Sequence, residues 1–221
     1  MLTSGTERAA TAAPTVTIGP DPERWLVLPP LGRPADAWVD ASLALLQHHD
    51  GFEAGAYRGM LEHALALRSA DDAWTLQWWP ATTVANVVVH VVARELAEGE
   101  AAPSIVGSVP FLGEPAIDLV DHVDLGRGIE VRGAIASDVA GVARLGLVAH
   151  AFCDGRRWIG VVAEPTLPAL ATQLLHDLRL LARSLRIDGA EWRGARLEAL
   201  PEAARVERIA AQEQWHAEAG A

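Results

Sequence analysis

The chain has 221 residues, half of them hydrophobic, and carries a formal net charge of −11. That much apolar material supports one domain with a sizeable core and excludes disorder for the bulk of the chain. The negative balance argues against a nucleic-acid partner, which needs basic charge to displace counterions from phosphates, and against docking on an anionic membrane.

Every basic residue is arginine, and Asn86 is the only asparagine. With abundant alanine this suggests a GC-rich coding bias, as in many actinobacteria, and says nothing about mechanism. Absence of lysine excludes a P-loop and Schiff-base catalysis, including the usual pyridoxal-phosphate chemistry. Cys153 is the sole cysteine, so no internal disulfide can form, which fits a reducing compartment. The first residues hold Glu7 and Arg8 without an apolar stretch, unlike a signal peptide. The longest near-apolar run, residues 84–93, falls well short of the ~20 a membrane helix needs. These features together predict a soluble, cytoplasmic protein.

In chain order, residues 1–15 lack periodicity and are expected to be a disordered lead-in. A short strand is expected near Arg24 to Leu28, ended by Pro29 and Pro30. Trp38, Ala41, Leu45 and His49 recur at helical spacing, and Gly51 suits a helix end, which predicts a helix over 35–49. Residues 54–62 read as helix and those after them as extended. Trp74, Leu76 and Trp78 alternate with polar residues, as in a half-buried strand, and residues 84–94 are rich in β-branched side chains. Residues 117–125 and 129–135 read as two strands joined through Gly126-Arg127-Gly128. Residues 142–152 and 157–163 flank Asp154-Gly155, a dipeptide favoured in type I′ hairpin turns. Pro165 and Pro168 then open a helix reaching Ile187, with a leucine stripe from Leu167 to Leu185 and Gln173, Asp177, Arg183 and Arg186 off it. Residues 16–188 are thus expected to form a single α+β domain. It would hold an antiparallel sheet of about six or seven strands with helices packed on it, among them a long C-terminal amphipathic helix. Residues 189–221 read as a C-terminal helical appendage.

Chemistry-bearing motifs are sparse. Ser108 lacks the second glycine of a nucleophile elbow, and Gly126, Gly128 and Gly133 have the wrong spacing for a dinucleotide loop. His48-His49-Asp50 falls at a helix end, and on a strand Asp121 faces away from His122 and Asp124, so no metal or other cofactor is expected. His90 and His150 lie in apolar strands, where satisfied or sheet-facing histidines are the default. Cys153 sits beside Arg156 and Arg157, which could favour a thiolate, but an incidental turn cysteine is the plainer reading. Adjacent Trp78 and Trp79 should point to opposite faces, while Trp25, Trp38, Trp74 and Trp158 are expected in the core beside the long helix.

The charge is concentrated. Between Glu95 and Gly126 lie Glu95, Glu98, Glu100, Glu114, Asp118, Asp121 and Asp124 with no arginine, seven of the eleven excess negative charges. An acidic solvated face is the plain reading. The functional one is a docking surface for a basic partner, formed by Glu98, Glu100, Glu114, Asp118, Asp121 and Asp124.

An early strand with Arg24-Trp25, a helix, several strands, a hairpin and a last helix ending Leu181-Ala182-Arg183-Ser184-Leu185-Arg186-Ile187 resembles the Mog1/PsbP-like small α+β proteins. The resemblance covers residues 22–187 and implies a non-enzymatic binding or assembly factor, with no functional residue to carry over. The acidic stretch and the tail after Gly189 depart from it. Without a catalytic constellation, the expected function is an accessory or protein-interaction domain that binds another protein through the acidic stretch or the tail. The alternative is a small apolar-ligand binding protein or enzyme with a pocket between sheet and helix.

Overall fold

The structure, a computed structural model, describes residues 15–48, 51–79, 86–188 and 192–206. Period-two alternation dominates the chain and builds a seven-stranded antiparallel sheet in the order β2-β3-β4-β8-β7-β6-β5. The strands are β2 (Trp25–Val27), β3 (Asp72–Trp78), β4 (Val87–Glu95), β5 (Ala116–His122), β6 (Gly126–Ala136), β7 (Arg144–Cys153) and β8 (Arg157–Ala163). A separate two-stranded sheet pairs β1 (Thr15–Thr17) with β9 (Arg186–Asp188). Helices α1 (Asp36–Leu46), α2 (Ala54–Ala66), α3 (Ile105–Ser108) and α4 (Pro168–Arg183) complete the α+β architecture with a 3-10 turn at Leu197–Ala199.

One face of the sheet is covered by α4. Trp25, Leu76, Trp78, Val89, Val91, Ile159, Val161, Val148 and Phe152 meet Leu174, Leu178, Leu181 and Leu185 there. Burying each large side chain contributes roughly 1.5–3 kcal/mol before ordering entropy is counted. The helix approaches β7 closely at Gly146, where an added Cβ would lie 2.8 Å from the Ala171 Cβ. The opposite face is covered in two places. Near β2 and β3, α1 and α2 bury Leu28, Trp79 and Val88 under Val39, Tyr57 and Leu61. Near β6 and β7, α3 and residues 192–206 bury Ile129, Val131, Ala149, Ala151 and Cys153 under Ile105, Leu200 and Val206.

Several expectations change. Helix α4 has 16 residues and ends at Arg183, not Ile187, and it is not C-terminal, since β9 and residues 192–206 follow it. Ser184 stops it: its N–H donates to the Leu180 and Leu181 carbonyls and its Oγ to Leu181 O, and Leu185 N then bonds Ala182 O. Asp177, expected off the stripe, is buried on the packed face, where it accepts from Trp78 Nε1 at 2.8 Å and Arg24 Nη1 at 3.0 Å. Helix α2 is continuous to Ala66, because Tyr57, Leu61, Ala64 and Leu65 share one buried face, so the extended reading beyond residue 62 does not hold. The turn between β7 and β8 is not type I′, which needs positive φ at both central residues: only Gly155 has it, at 87°. Buried Asp154 shapes the turn instead, its Oδ1 accepting the N–H groups of Arg156 and Arg157 at 2.8 and 2.7 Å.

Trp78 and Trp79 do take opposite faces, under α4 and against Tyr57 of α2 respectively. Trp25 and Trp74 pack on the α4 face, but Trp38 joins the α1–α2 cluster and Trp158 the face opposite α4. The segment expected as an appendage contributes Leu200, Ala203 and Val206 to the buried core as far as it is described. It is tied to the strand ends by Ala195 N to Leu125 O and Arg196 N to Cys153 O, each 2.7 Å. Of the lead-in expected over residues 1–15, Thr15 instead opens β1, paired with Asp188, and residues 1–14 fall outside the described residues, as do His49 with Asp50 and the helical reading beyond residue 206.

Candidate functional site

Strand register places three ionisable groups in one row on the α4 face. Asp118 of β5 stands opposite Glu130 of β6, and Glu130 stands opposite His150 of β7. Cross-strand neighbours of this kind have Cβ atoms roughly 5 Å apart, so two carboxylates side by side would repel if left alone. Two arginines prevent that. Arg179, reaching down from α4, donates Nε to Glu130 Oε2 at 2.6 Å and Nη2 to Oε1 at 2.8 Å. Arg132, on β6, brings its Nε to 2.9 Å from Glu130 Oε1 and donates Nη2 to Asp118. Glu130 is fully buried, and the bidentate fork is the geometry in which a buried carboxylate is best compensated.

His150 is left out of this network. It is 1 % exposed, and among the described residues neither ring nitrogen has a hydrogen-bond partner. Its nearest ionic neighbour is Glu130 Oε2, 3.7 Å from Nε2, which is too far for a hydrogen bond. Burial pushes its pKa down to about 4; the Glu130 carboxylate opposes that and the Arg179 guanidinium adds to it. The ring is therefore neutral near pH 7, with one donor and one acceptor unpartnered among the described residues.

His122, closing β5, is held differently. Its Nδ1 accepts the N–H groups of Asp124 at 3.0 Å and Leu125 at 2.9 Å. Those bonds shape the β5–β6 turn and fix the tautomer, so the ring proton resides on Nε2. That nitrogen is buried beside the Ala182 and Arg183 carbonyls, and among the described residues it makes no hydrogen bond of good geometry. Burial and Arg186 hold the ring's pKa below the ordinary histidine value, against the pull of Asp124 and the Arg183 and Ala182 carbonyls. The ring meets Phe152 edge-on with centroids 5.7 Å apart. Between these strands and the second half of α4 lies a half-open cleft of about 360 Å³, lined by Asp118, Val120, His122, His150, Phe152 and Arg179 among others. Burial of Phe152 needs Gly128 on the neighbouring strand, where a Cβ would come within 2.5 Å of its ring.

The residues proposed from charge alone are dispersed among partners. Glu100 pairs with Arg94, Glu114 with Arg205 at 3.1 Å, Asp118 with Arg132, Asp121 with Arg127 at 3.2 Å and Asp124 with Arg186 at 2.9 Å. Glu98 is exposed and has no ion pair among the described residues. The carboxylates crowded together in sequence thus meet arginines drawn from β4, β6, β9 and the C-terminal segment. Of the six, the fold brings only Asp118 and Asp121 to the cleft.

Elsewhere the ionisable residues serve the scaffold. His90, between Asp72 at 2.8 Å and Glu164 at 3.2 Å, uses both ring nitrogens. Cys153 is buried, its thiol pKa pushed up by that burial and only partly lowered by the Gly155 N–H, so the neighbouring arginines do not make it a thiolate. Among the described residues, no group of three His, Cys, Asp or Glu side chains is placed to hold a metal ion, and no helix is long and apolar enough to cross a membrane. Sequence reasoning set His150 aside as a satisfied or sheet-facing histidine and passed over Glu130, although their place in alternating strands carried the signal that they share a face.

No family model matches the chain, and no curated protein does so either.

Proposed function

We propose that this chain is a non-catalytic binding domain that receives a small polar ligand in the cleft between α4 and strands β5–β7. The observation carrying this reading is His150, a fully buried imidazole on the cleft wall whose two nitrogens have no hydrogen-bond partner among the described residues. Buried polar groups without partners cost about 1–3 kcal/mol each, so they persist where something compensates them. A ligand that donates and accepts at the ring supplies that compensation. Among the described residues the cleft lining holds no serine, threonine or cysteine, and Glu130 is committed to Arg179, so binding fits the geometry better than nucleophilic or acid–base chemistry.

The test is a fragment screen on the full chain, with acids, amines, neutral amides and sugars. Long-range proton–nitrogen NMR correlations of the histidine rings serve as readout. Saturable movement of the His150 ring signals by at least one class supports the reading. A screen whose hits all leave His150 unmoved overturns it.

A second reading, the accessory domain that binds a partner protein, draws on the outer edge of β5. Among the described residues this strand ends the sheet, and Leu119 and the neighbouring turn residue Val123 are exposed, Val123 almost completely at 97 %. An unpaired strand edge flanked by apolar side chains suits addition of an extended segment from another chain. The pairing of Asp118 and Asp121 with arginines weakens the case for charge as its driving force. Val123→Glu would abolish such a complex and leave the cleft ligand unaffected, since Val123 does not line the cleft.

A further inference from the structure

The ligand class follows from counting which polar groups around the cleft are already committed, and it rests on the reading that the cleft binds a ligand. Of the charged residues lining it, Asp118 is spent on Arg132, Asp121 on Arg127 and Arg179 on Glu130. Arg183, in the last turn of α4, also lines the cleft and has no carboxylate partner among the described residues. The uncompensated charge is therefore one positive guanidinium. Two further polar groups in the wall are buried and make no hydrogen bond of good geometry among the described residues. His122 Nε2 is a donor by virtue of its fixed tautomer, and His150 offers one donor and one acceptor.

We propose that the cleft takes a small monocarboxylate with a hydroxyl or amide group beside the acid. Its carboxylate lies against Arg183 and the His122 Nε2–H, and its neutral polar group meets His150. The guanidinium fork and a carboxylate match in shape as well as charge, and a single uncompensated arginine selects a single negative charge. The adjacent hydroxyl or amide is demanded by His150, whose acceptor nitrogen a bare carboxylate leaves empty. A cleft of about 360 Å³ stands at the small end of ligand sites and admits a compact molecule of this kind.

The experiment titrates the full chain separately with lactate, its neutral counterpart lactamide, and inorganic phosphate, and follows the ring nitrogens of His122 and His150 by NMR. Saturable shifts of both rings with lactate, at least tenfold weaker binding of lactamide, and a roughly tenfold loss of lactate affinity in Arg183→Gln support the proposal. Arg183 is exposed at the helix end, so its substitution leaves the fold intact, which an unchanged amide spectrum away from the cleft verifies. Equal binding of lactamide, or tighter binding of phosphate, overturns the monocarboxylate while the ligand-binding reading stands. If neither lactate nor any member of the fragment screen moves His150, both fall.

Discussion

Arg179 of α4 grips Glu130 of β6 through two hydrogen bonds, 2.6 and 2.8 Å long, across the interface between helix and sheet. The carboxylate is fully buried while the arginine side chain keeps 43 % of its surface in solvent. The pair thus desolvates one charge and lets the other hold on to water, and a second arginine, Arg132, backs the carboxylate from the sheet. Arg179→Met strands much of the Glu130 charge. Breaking a buried pair costs about 3–5 kcal/mol, and the remaining Arg132 and the arginine's exposure bring the expected loss to about 2–3 kcal/mol in urea denaturation. Arg179→Met with Glu130→Gln should recover a good part of that, because the uncompensated charge is gone. A double variant no better than the single one would mean that Arg179 acts through packing.

His90 gives the fold an alkaline dependence. Asp72 and Glu164 raise its pKa to about 9 despite burial, and the unfolded value is 6.5. The folded state therefore binds more protons than the unfolded state between those values. The stabilisation is complete below pH 6.5 and is lost as pH rises through 9. Asp72, whose pKa lies below its ordinary 3.8, contributes in the opposite sense: its stabilisation is present above that value and lost in acid. Urea midpoints should fall between pH 7 and 9.5 in the native chain, and that slope should flatten in His90→Gln.

His150 produces an acid limb of different origin. Its folded pKa is about 4 against 6.5 unfolded, so the unfolded chain takes up a proton first as pH drops. Stability then decreases from pH 6.5 towards 4. In NMR the ring should stay neutral at pH 5.5, where an unperturbed imidazole is mostly protonated. A His150 titration midpoint near 6.5 would contradict the burial described for it.

Gly146 marks where α4 rides on β7. A methyl group there meets Ala171 Cβ at 2.8 Å, with Pro168 Cα at 3.4 Å, and neither is the flexible end of a side chain. Gly146→Val should force the helix outward and cost about 1–3 kcal/mol, read as a lowered thermal midpoint. Because the same helix carries Arg179 and Arg183, the displacement should also weaken any ligand of the cleft.

Cys153 is expected to be inert. With the thiol buried and its pKa raised, alkylation or disulfide exchange should proceed at the rate of opening in native buffer and immediately in denaturant. Rapid native-state labelling at pH 7.5 would argue for an exposed thiolate.

Local pattern alone determined much of this protein. Alternation at Trp74, Leu76 and Trp78, the β-branched run of β4, the hairpin strands around Gly155 and the leucine stripe of α4 all survive in the structure, because side-chain period is a property of neighbouring residues. Element ends were less legible. Ser184 stops α4 with hydrogen bonds that no period announces, and Asp154 shapes its turn with a carboxylate rather than with backbone φ. What only the tertiary structure decided is which distant groups meet. The acidic stretch contains no arginine in sequence, yet Arg94, Arg127, Arg132, Arg186 and Arg205 come to its carboxylates once the sheet closes. His150 and His122 lie 28 positions apart in the numbering and line one cleft only because strand register and the descent of α4 put them there. Charge and burial are properties of three-dimensional neighbourhood, and a row such as Asp118, Glu130 and His150 exists only after the strands have chosen their partners.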